Sequence, residues 1–507
     1  MPSPGGKAAA RTLSPDLDDM VMSLQAIRRQ PKAVLEEARE VIARARRFNQ
    51  EVVIPQAADI DRKIQEDPCY LPLDLIKTAN EWGIFTWWIP RIFGGKGYSM
   101  PTLSYFVEEI ASACAGISNL LGVHYLGIAT VVSTWNTKVA AAICRDVVEG
   151  QKNGTPCLLS LALTEPDAGT DMEDPDLMDK GTITCHAQKV PGGYRVNGTK
   201  VFISNGHLST YHILFAFADT NKPSGNLVML AMKKDSPGLS LGKVERKMGQ
   251  KACPASELIF KDCFVPDDMV CMDPKQAARL SRSQRDTTAQ IVDYLFATSR
   301  AGVCAFGTGV ARGAYETALD YAANTVINGK LLLNQEWAQA ILAEMHKNVT
   351  VARITYNEAN YAISLYGMYK TIQTKAMFYL LKYLPSPVMR LAVAPILKQD
   401  LSIRVFRWLH FDRQTDKEIQ RTSGWGSLAK FSGTDAAVAN TKLALQLMGP
   451  DGLRHRNLAE KHLRDAKVMQ IYEGTNQLNR INVFKCLIAP HYPQAAVFDE
   501  APGKARC

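Results

Sequence analysis

A chain of 507 residues exceeds the roughly 250–300 residues at which a single core stops growing, so two or three structural units are expected. An apolar fraction of 46% and a charged fraction of 21% are those of an ordinary globular protein, which excludes a disordered, collagen-like or coiled-coil chain. The formal charge of +9 suits an anionic substrate or membrane surface but stems mostly from a scattered Lys/Arg surplus, and no nucleic-acid partner is expected.

Residues 1–30 are polar, carry Pro and Ser, lack the apolar stretch of a secretory signal and read as a loose arm. Residues 31–155 read as a helical domain. Val34, Ala38, Val41, Ala45 and Phe48 recur at helical spacing, and PRIFGGKGYSMP marks a loop by its Gly and Pro. We read no uncharged run of the ~18–20 residues needed to cross a bilayer.

Residues 156–270 change character. In GGYRVNGTKVFISNG, Asn197-Gly198 lies between Tyr194/Val196 and Val201/Ile203, which predicts a hairpin turn because both turn positions need positive φ. HILFAFAD, NLVMLAMKK and ASELIFKDCFVP predict further strands. From 271 to 490 the helical pattern returns, in VARGAYETALDYAANTV and WAQAILAEMHKNVTVARITYNEANYAISLYG, and 491–507 is a tail. Helices, then strands, then helices give an α+β chain, not alternating βαβ units.

FGTGVARG (306–313) has dinucleotide-loop spacing but follows no predicted strand, so its glycines read as small residues for close helix packing. His455 and His462 lie seven apart on a helical stretch and can share a face. No carboxylate or cysteine stands at ligand spacing, so no metal site is expected. Eleven cysteines without a CxxC pair read as small buried apolar residues of a reducing compartment.

Three stretches carry candidate chemistry. In LALTEPDAGTD (161–171), the hydroxyls of Thr164 and Thr170 and the amides around Gly169 can grip a polar ring edge or an anion, or simply close a hydrogen-bonded turn. In KVFISNG (200–206), Phe202 and Ser204 share one strand face, an aromatic platform beside a hydroxyl or plain strand alternation. In DAKVMQIYEGTNQLNR (465–480), Glu473 stands between Tyr472 and Gly474 where a helix runs into a glycine break. It is either a surface charge at a helix end or a base.

Together these pieces resemble the acyl-CoA dehydrogenase family of flavoenzymes. ALTEPDAGTD is similar to the family's first signature and KVFISNG to its flavin-stacking strand. KMGQKACPASELIFKDCFVP (247–266) is similar to the strand closing its β domain, and RDAKVMQIYEGTNQLNR (464–480) to its catalytic segment. The similarity runs in order from about residue 35 to 365 and from 425 to 485. It implies an N-terminal α-helical domain, a central β-barrel-like domain and a C-terminal four-helix bundle, assembled as a homodimer or homotetramer with FAD between β domain and bundle. Leu161, Leu163, Thr164, Gly169, Thr170, Phe202, Ser204, Gln446, Gly449, Thr475 and Gln477 are the implied cofactor contacts. Of these, Thr164 would meet the flavin pyrimidine and Ser204 would face the N5 side. Phe202 would take the place of the family's usual tryptophan, and Thr475 and Gln477 would reach the adenosine half.

The resemblance implies that Glu473 is the base, with Ser299, Arg300, Tyr472, Gly474 and Thr170 around the substrate. Some members carry the base on an earlier helix just before an arginine; here Ser299 precedes Arg300, which leaves Glu473. The implied reaction is α,β-dehydrogenation of an acyl-CoA thioester to the trans-2-enoyl-CoA, as in fatty-acid β-oxidation, with electrons passed to an electron-transferring flavoprotein. The alternatives are a same-fold oxidase or flavin monooxygenase using oxygen, or a silent assembly or membrane-docking subunit. The expected location is the cytoplasm, or the mitochondrial matrix in a eukaryote, or the periphery of the inner membrane.

Three stretches depart from the family pattern. YAANTVINGK has Thr325 and Asn328 where the family often has the Arg and Phe that reach the FAD pyrophosphate of the neighbouring subunit. QLMGPDG (446–452) has Pro450, which offers no N–H. Residues 366–414 are an insertion carrying Lys370, Lys375, Lys382, Arg390, Lys398, Arg404, Arg407 and Arg413 against only Asp400 and Asp412. Such a Pro-broken, basic and apolar segment can lie on an anionic membrane, or pack on the bundle or a partner subunit.

Overall fold

The computed structural model describes residues 32–371, 374–492 and 495–498. The apolar stripe predicted near the start forms α1 (Lys32–Phe48), in which Ala38, Val41, Ala45 and Phe48 are buried. It is followed by α2 (Ile54–Glu66), α3 (Leu73–Glu81), α4 (Pro101–Ala111), α5 (Ala115–Ser133) and α6 (Thr137–Lys152). Asn136 starts α6 by accepting the Val139 N–H, which satisfies one of the orphan donors of the first turn. Contrary to the sequence reading, α5 is free of Asp, Glu, Lys and Arg and is long and apolar enough to cross a bilayer. Most of it is buried inside the protein, where it serves as a core helix.

The middle of the chain is an eight-stranded sheet: β1 (Leu159–Ala162), β2 (His186–Val190), β3 (Gly193–Ser204), β4 (Tyr211–Phe217), β5 (Leu227–Lys233), β6 (Leu239–Val244), β7 (Ala255–Pro266) and β8 (Val270–Met272). Its order is β6-β7-β3-β2-β4-β5-β8, and β1 lies parallel to β4.

The turn expected at Asn197-Gly198 is not there. Both residues lie inside β3, in a bulge where the register against β7 shifts. The Asn197 side chain accepts the Asp262 N–H at 2.8 Å, and Gly198, at φ 140°, lies so close to Cys185 that a Cβ would fall 2.7 Å from its Cα. A bulge needs the same unusual backbone as a turn, so the dipeptide alone does not separate the two. The hairpin closes earlier, between Val190 and Gly193, with Gly192 at φ 80°. An Asn-Gly hairpin does occur at Asn328-Gly329, with φ 53° and 74°, joining β9 (Val326–Ile327) to β10 (Lys330–Leu331). It occupies the stretch in which Arg and Phe are replaced.

The C-terminal helices are α7 (Gln284–Asn324), α8 (Glu336–Tyr366), α9 (Lys375–Tyr383), α10 (Asp400–Arg407), α11 (Asp416–Met448), α12 (Ala459–Met469) and α13 (Asn476–Val483). FGTGVARG lies within α7, and its glycines allow close packing as expected. A Cβ on Gly307 would fall 2.6 Å from the Gly433 carbonyl of α11, and one on Gly309 would fall 2.4 Å from the Glu108 carbonyl of α4. Arg312 and Arg353, on α7 and α8, pair with the buried Glu109 and Glu108 of α4 and lock the N-terminal domain to the bundle. His455 and His462 do not share a face. His455 sits in a turn against Asp61 at 3.3 Å, whereas His462 is buried within α12.

The segment expected as an insertion folds as α9, a helical stretch Ser386–Leu397 set at 98° to it, and α10, between α8 and α11. It packs on the N-terminal domain and the edge of the sheet. Arg91 donates to the Leu381 carbonyl at 3.1 Å and Lys382 to the Ala33 carbonyl at 3.0 Å. Arg407 is buried, donating to the carbonyls of Thr134 and Cys271 at 2.9 and 3.0 Å. Trp135 stacks on His410 at 3.8 Å between ring centroids.

Candidate active site

The end of β1 is fastened to β3 by groups that all come from the conspicuous sequence stretches. The Thr164 carbonyl accepts the Val201 N–H at 2.9 Å. Lys200, fully buried, donates to the Leu163 carbonyl and to Glu165 Oε1, both at 2.8 Å. Glu165 Oε2 also accepts the N–H groups of Thr184 and Cys185. A buried ion pair left half-satisfied would be costly, and this one is fully bonded. The turn reading of this stretch is also correct, since Glu165 N–H donates to the Ala168 carbonyl at 2.9 Å.

Between Lys200 and Ile203 the register of β3 shifts again, which puts Phe202 at φ 57°. Ile203 turns into the sheet core while Phe202 stays 60% exposed. A bulky side chain held in the left-handed region is a strained arrangement of the kind found at ligand sites.

The opposite wall comes from the C-terminal segment. Helix α12 stops at Met469, and the chain reverses through Glu473 at φ 56° and Gly474 at φ 74° before Thr475 caps α13 by accepting the Leu478 N–H. This strained turn is held from several directions. Asn479 donates to the carbonyls of Glu473, Gly474 and Thr475 at 2.9–3.2 Å. Lys430 of α11 donates to the Gly474 carbonyl at 2.6 Å, and Arg300 of α7 to the Glu473 carbonyl at 3.2 Å. From the β domain, Gln250 donates to the Asp465 carbonyl at 3.1 Å and to the Tyr472 hydroxyl at 3.2 Å.

The Glu473 carboxylate accepts the Ser299 hydroxyl at 2.5 Å. Burial pushes its pKa above the usual carboxylate value, while Ser299, Arg300 and Lys430 hold it back. Beside it lies a second carboxyl that the sequence did not single out. Glu173, in the turn Thr170–Glu173, accepts Arg300 Nη2 at 2.8 Å, and burial pushes it up to about 7. Burial also depresses Lys430 to about 7. A lysine in the small-residue run SLAKFSGT was the available signal for a buried cation on a helix–helix face. Glu173 had no comparable local signal.

These elements enclose a cavity of about 1610 Å³. Its wall includes Leu161, Leu163, Thr164, Gly169, Thr170, Phe202, Ser204, Ser299, Tyr472, Glu473, Thr475 and Gln477, brought together from four separate stretches of sequence, and Glu173 reaches it too. Four expected contacts lie elsewhere. Arg300 and Gly474 sit behind the wall, because the guanidinium is used up on Glu173, Ser427 and the Glu473 carbonyl. A Cβ on Gly474 would fall 2.5 Å from Glu173 Oε2. Gln446 and Gly449 sit at the end of α11, away from the cavity lining.

The residues present fit a flat, hydrogen-bonding cofactor. An exposed aromatic ring on a strained bulge stands beside the hydroxyls of Ser204, Thr164 and Thr170, across a cavity from a carboxylate. Thr325, just before the hairpin at 326–331, stands where the resemblance would ask for a phosphate-binding cation, and Asn328 where it would ask for Phe.

Family models described as the acyl-CoA dehydrogenase N-terminal, middle and C-terminal domains match residues 35–147, 160–263, and 289–393 with 407–488. The acyl-CoA dehydrogenase of Bacillus subtilis (strain 168) is 26% identical over 437 residues, covering 86% of this chain and 94% of that protein. Among solved structures, butyryl-CoA dehydrogenase from Megasphaera elsdenii has a TM-score of 0.68 at 23% identity, covering 89% of this chain and 98% of its own. The FAD complex of PigA has a TM-score of 0.63 at 18% identity, covering 90% and 97%. The three domain models follow one another in order across the helical, sheet and bundle regions just described, and the chain belongs to the acyl-CoA dehydrogenase family.

Proposed function

We propose that this protein is an FAD-dependent acyl-CoA dehydrogenase that converts an acyl-CoA thioester to the trans-2-enoyl-CoA, with Glu473 removing the α-proton. The observation that carries this is the placement of the Glu473 carboxylate, raised in pKa by burial, on the same cavity wall system as Phe202, Ser204 and Thr164. Bound there, FAD supplies the acceptor for the hydride that leaves the β-carbon. Thr164, Thr170 and Ser204 would hold its ring edge, Phe202 would lie against the ring, and Thr475 and Gln477 would reach the adenosine half.

The chain's own contribution is position and charge. A carboxylate at its ordinary pKa of ~4.3 is a weak base, and burial brings it nearer the operating pH, where general-base efficiency is greatest. Negative charge builds on the thioester oxygen as the proton leaves, and the family pattern assigns the Glu473 backbone N–H to that oxygen. Ser299→Ala removes a hydrogen bond that favours the charged carboxylate, so the Glu473 pKa should rise further. The acid limb of the kcat/KM profile should then move to higher pH, and an unmoved limb would separate Ser299 from the base.

An electron-transferring flavoprotein is the proposed acceptor and a homodimer or homotetramer the proposed assembly, both from the family pattern. The cytoplasm or mitochondrial matrix is the proposed location. All ten described cysteines are free thiols and eight are buried, which suits a reducing compartment. Anaerobic addition of acyl-CoA to the yellow holoprotein should bleach the flavin, with slow recovery in air. Fast recovery with peroxide release would make it an oxidase, and protein unable to bind FAD would make it a silent subunit.

A further inference from the structure

The insertion has two faces with different surroundings. Its inner side contributes Phe378, Leu381 and Met389 to the cavity wall. Its outer side leaves large apolar side chains bare: Leu391 is 80% exposed and Leu401 70%, with Tyr383, Ile396 and Trp408 each more than half exposed. A run of such residues on a protein surface marks a place where something else sits.

The charge around that patch identifies the occupant. Arg390, Lys398 and Arg404 are exposed, and none has an ion-pair partner among the described residues. The insertion's two carboxylates are engaged, Asp400 with Lys138 at 2.8 Å and Asp412 with the Ser281 N–H at 3.0 Å. A second copy of the same face would bring cations against cations, whereas anionic lipid headgroups complement it. The helices are too short to span. Lys375–Tyr383 and Ser386–Leu397 are bent by 98° at their break, and at ~1.5 Å per residue each falls well below a hydrocarbon core of ~30 Å. Short amphipathic helices with basic flanks lie in the interface plane.

We propose that the outer face of residues 375–408 docks on an anionic lipid bilayer, seating the part of the cavity wall that it forms near the lipid surface. Flotation of the full-length holoprotein with phosphatidylcholine vesicles containing phosphatidylglycerol, and with phosphatidylcholine alone, tests it. The protein should float with the anionic vesicles only. Leu391→Asp with Leu401→Asp should abolish flotation, and Lys398→Glu with Arg404→Glu should weaken it about tenfold or more. Neither pair lies in the catalytic cavity, so flavin content and turnover of a short acyl-CoA in solution should stay unchanged, which shows that the variants fold. The proposal is overturned if wild type stays unbound with anionic vesicles or if both variant pairs still float. It is also overturned if the substitutions change the oligomer size on gel filtration, which would make the face a subunit interface. Flotation is read independently of turnover, so failure of the proposed reaction leaves this result standing, and the reverse holds too.

Discussion

Glu473→Gln is expected to lower turnover of acyl-CoA by about 10²- to 10⁴-fold while leaving FAD content and ligand affinity intact. Glutamine has the same shape as glutamate, and the turn that presents residue 473 is held through backbone carbonyls by Arg300, Lys430 and Asn479, none of which the substitution touches. The Ser299 hydroxyl can still donate, now to an amide oxygen. What is lost is the ability to accept a proton. Acyl-CoA affinity, followed by the ligand-induced change in the flavin spectrum, should therefore stay near wild type while single-turnover bleaching fails. The structure also names the rival. Glu173 reaches the same cavity and is pushed up to about 7, a pKa suited to a base, but its Oε2 is bound to Arg300. Bleaching by Glu473→Gln at more than about a tenth of the wild-type rate would move the base to Glu173, and its loss in Glu173→Gln would complete that reassignment.

The features legible in the sequence are those fixed by neighbours a few residues away. The 3.6-residue stripe of α1, the strands β4, β5 and β7, and the small residues of FGTGVARG each announce themselves locally. So do the segments that build the cavity, because a Phe-x-Ser strand and a glutamate in a glycine break are short patterns. What stayed hidden depends on distant partners. Asn197-Gly198 becomes a bulge because β3 continues past it along β7, a pairing no local rule reveals. The uncharged α5 is a core helix because the rest of the protein surrounds it. Glu173 and Lys430 acquire their roles from partners 127 and 44 positions away.

Arg300→Met should destabilise the protein by about 3–5 kcal/mol, the usual cost of deleting one partner of a buried ion pair. Arg300 is 1% exposed, and its guanidinium links Glu173, Ser427 and the Glu473 carbonyl. Without it, Glu173 is left in the same low-dielectric site with its main cationic partner gone. Its pKa, already raised by burial from 4.5 to about 7, should rise further, since Arg300 was lowering it. The sign follows from linkage. A carboxyl whose folded pKa exceeds its unfolded value binds more protons when folded, so stability falls as pH rises between the two values. In wild type that fall ends near a pKa of about 7, whereas in the variant it continues to higher pH. The deficit of Arg300→Met should therefore be larger at about pH 8 than at about pH 6, as read from denaturant midpoints. Adding Glu173→Gln should reduce that pH dependence to the part carried by Glu473, which Arg300 also holds down, and recover part of the loss, because one charge left stranded is gone. A deficit equal at both pH values, or no recovery in the double variant, would mean that Arg300 acts through Ser427 and the Glu473 carbonyl and not through Glu173.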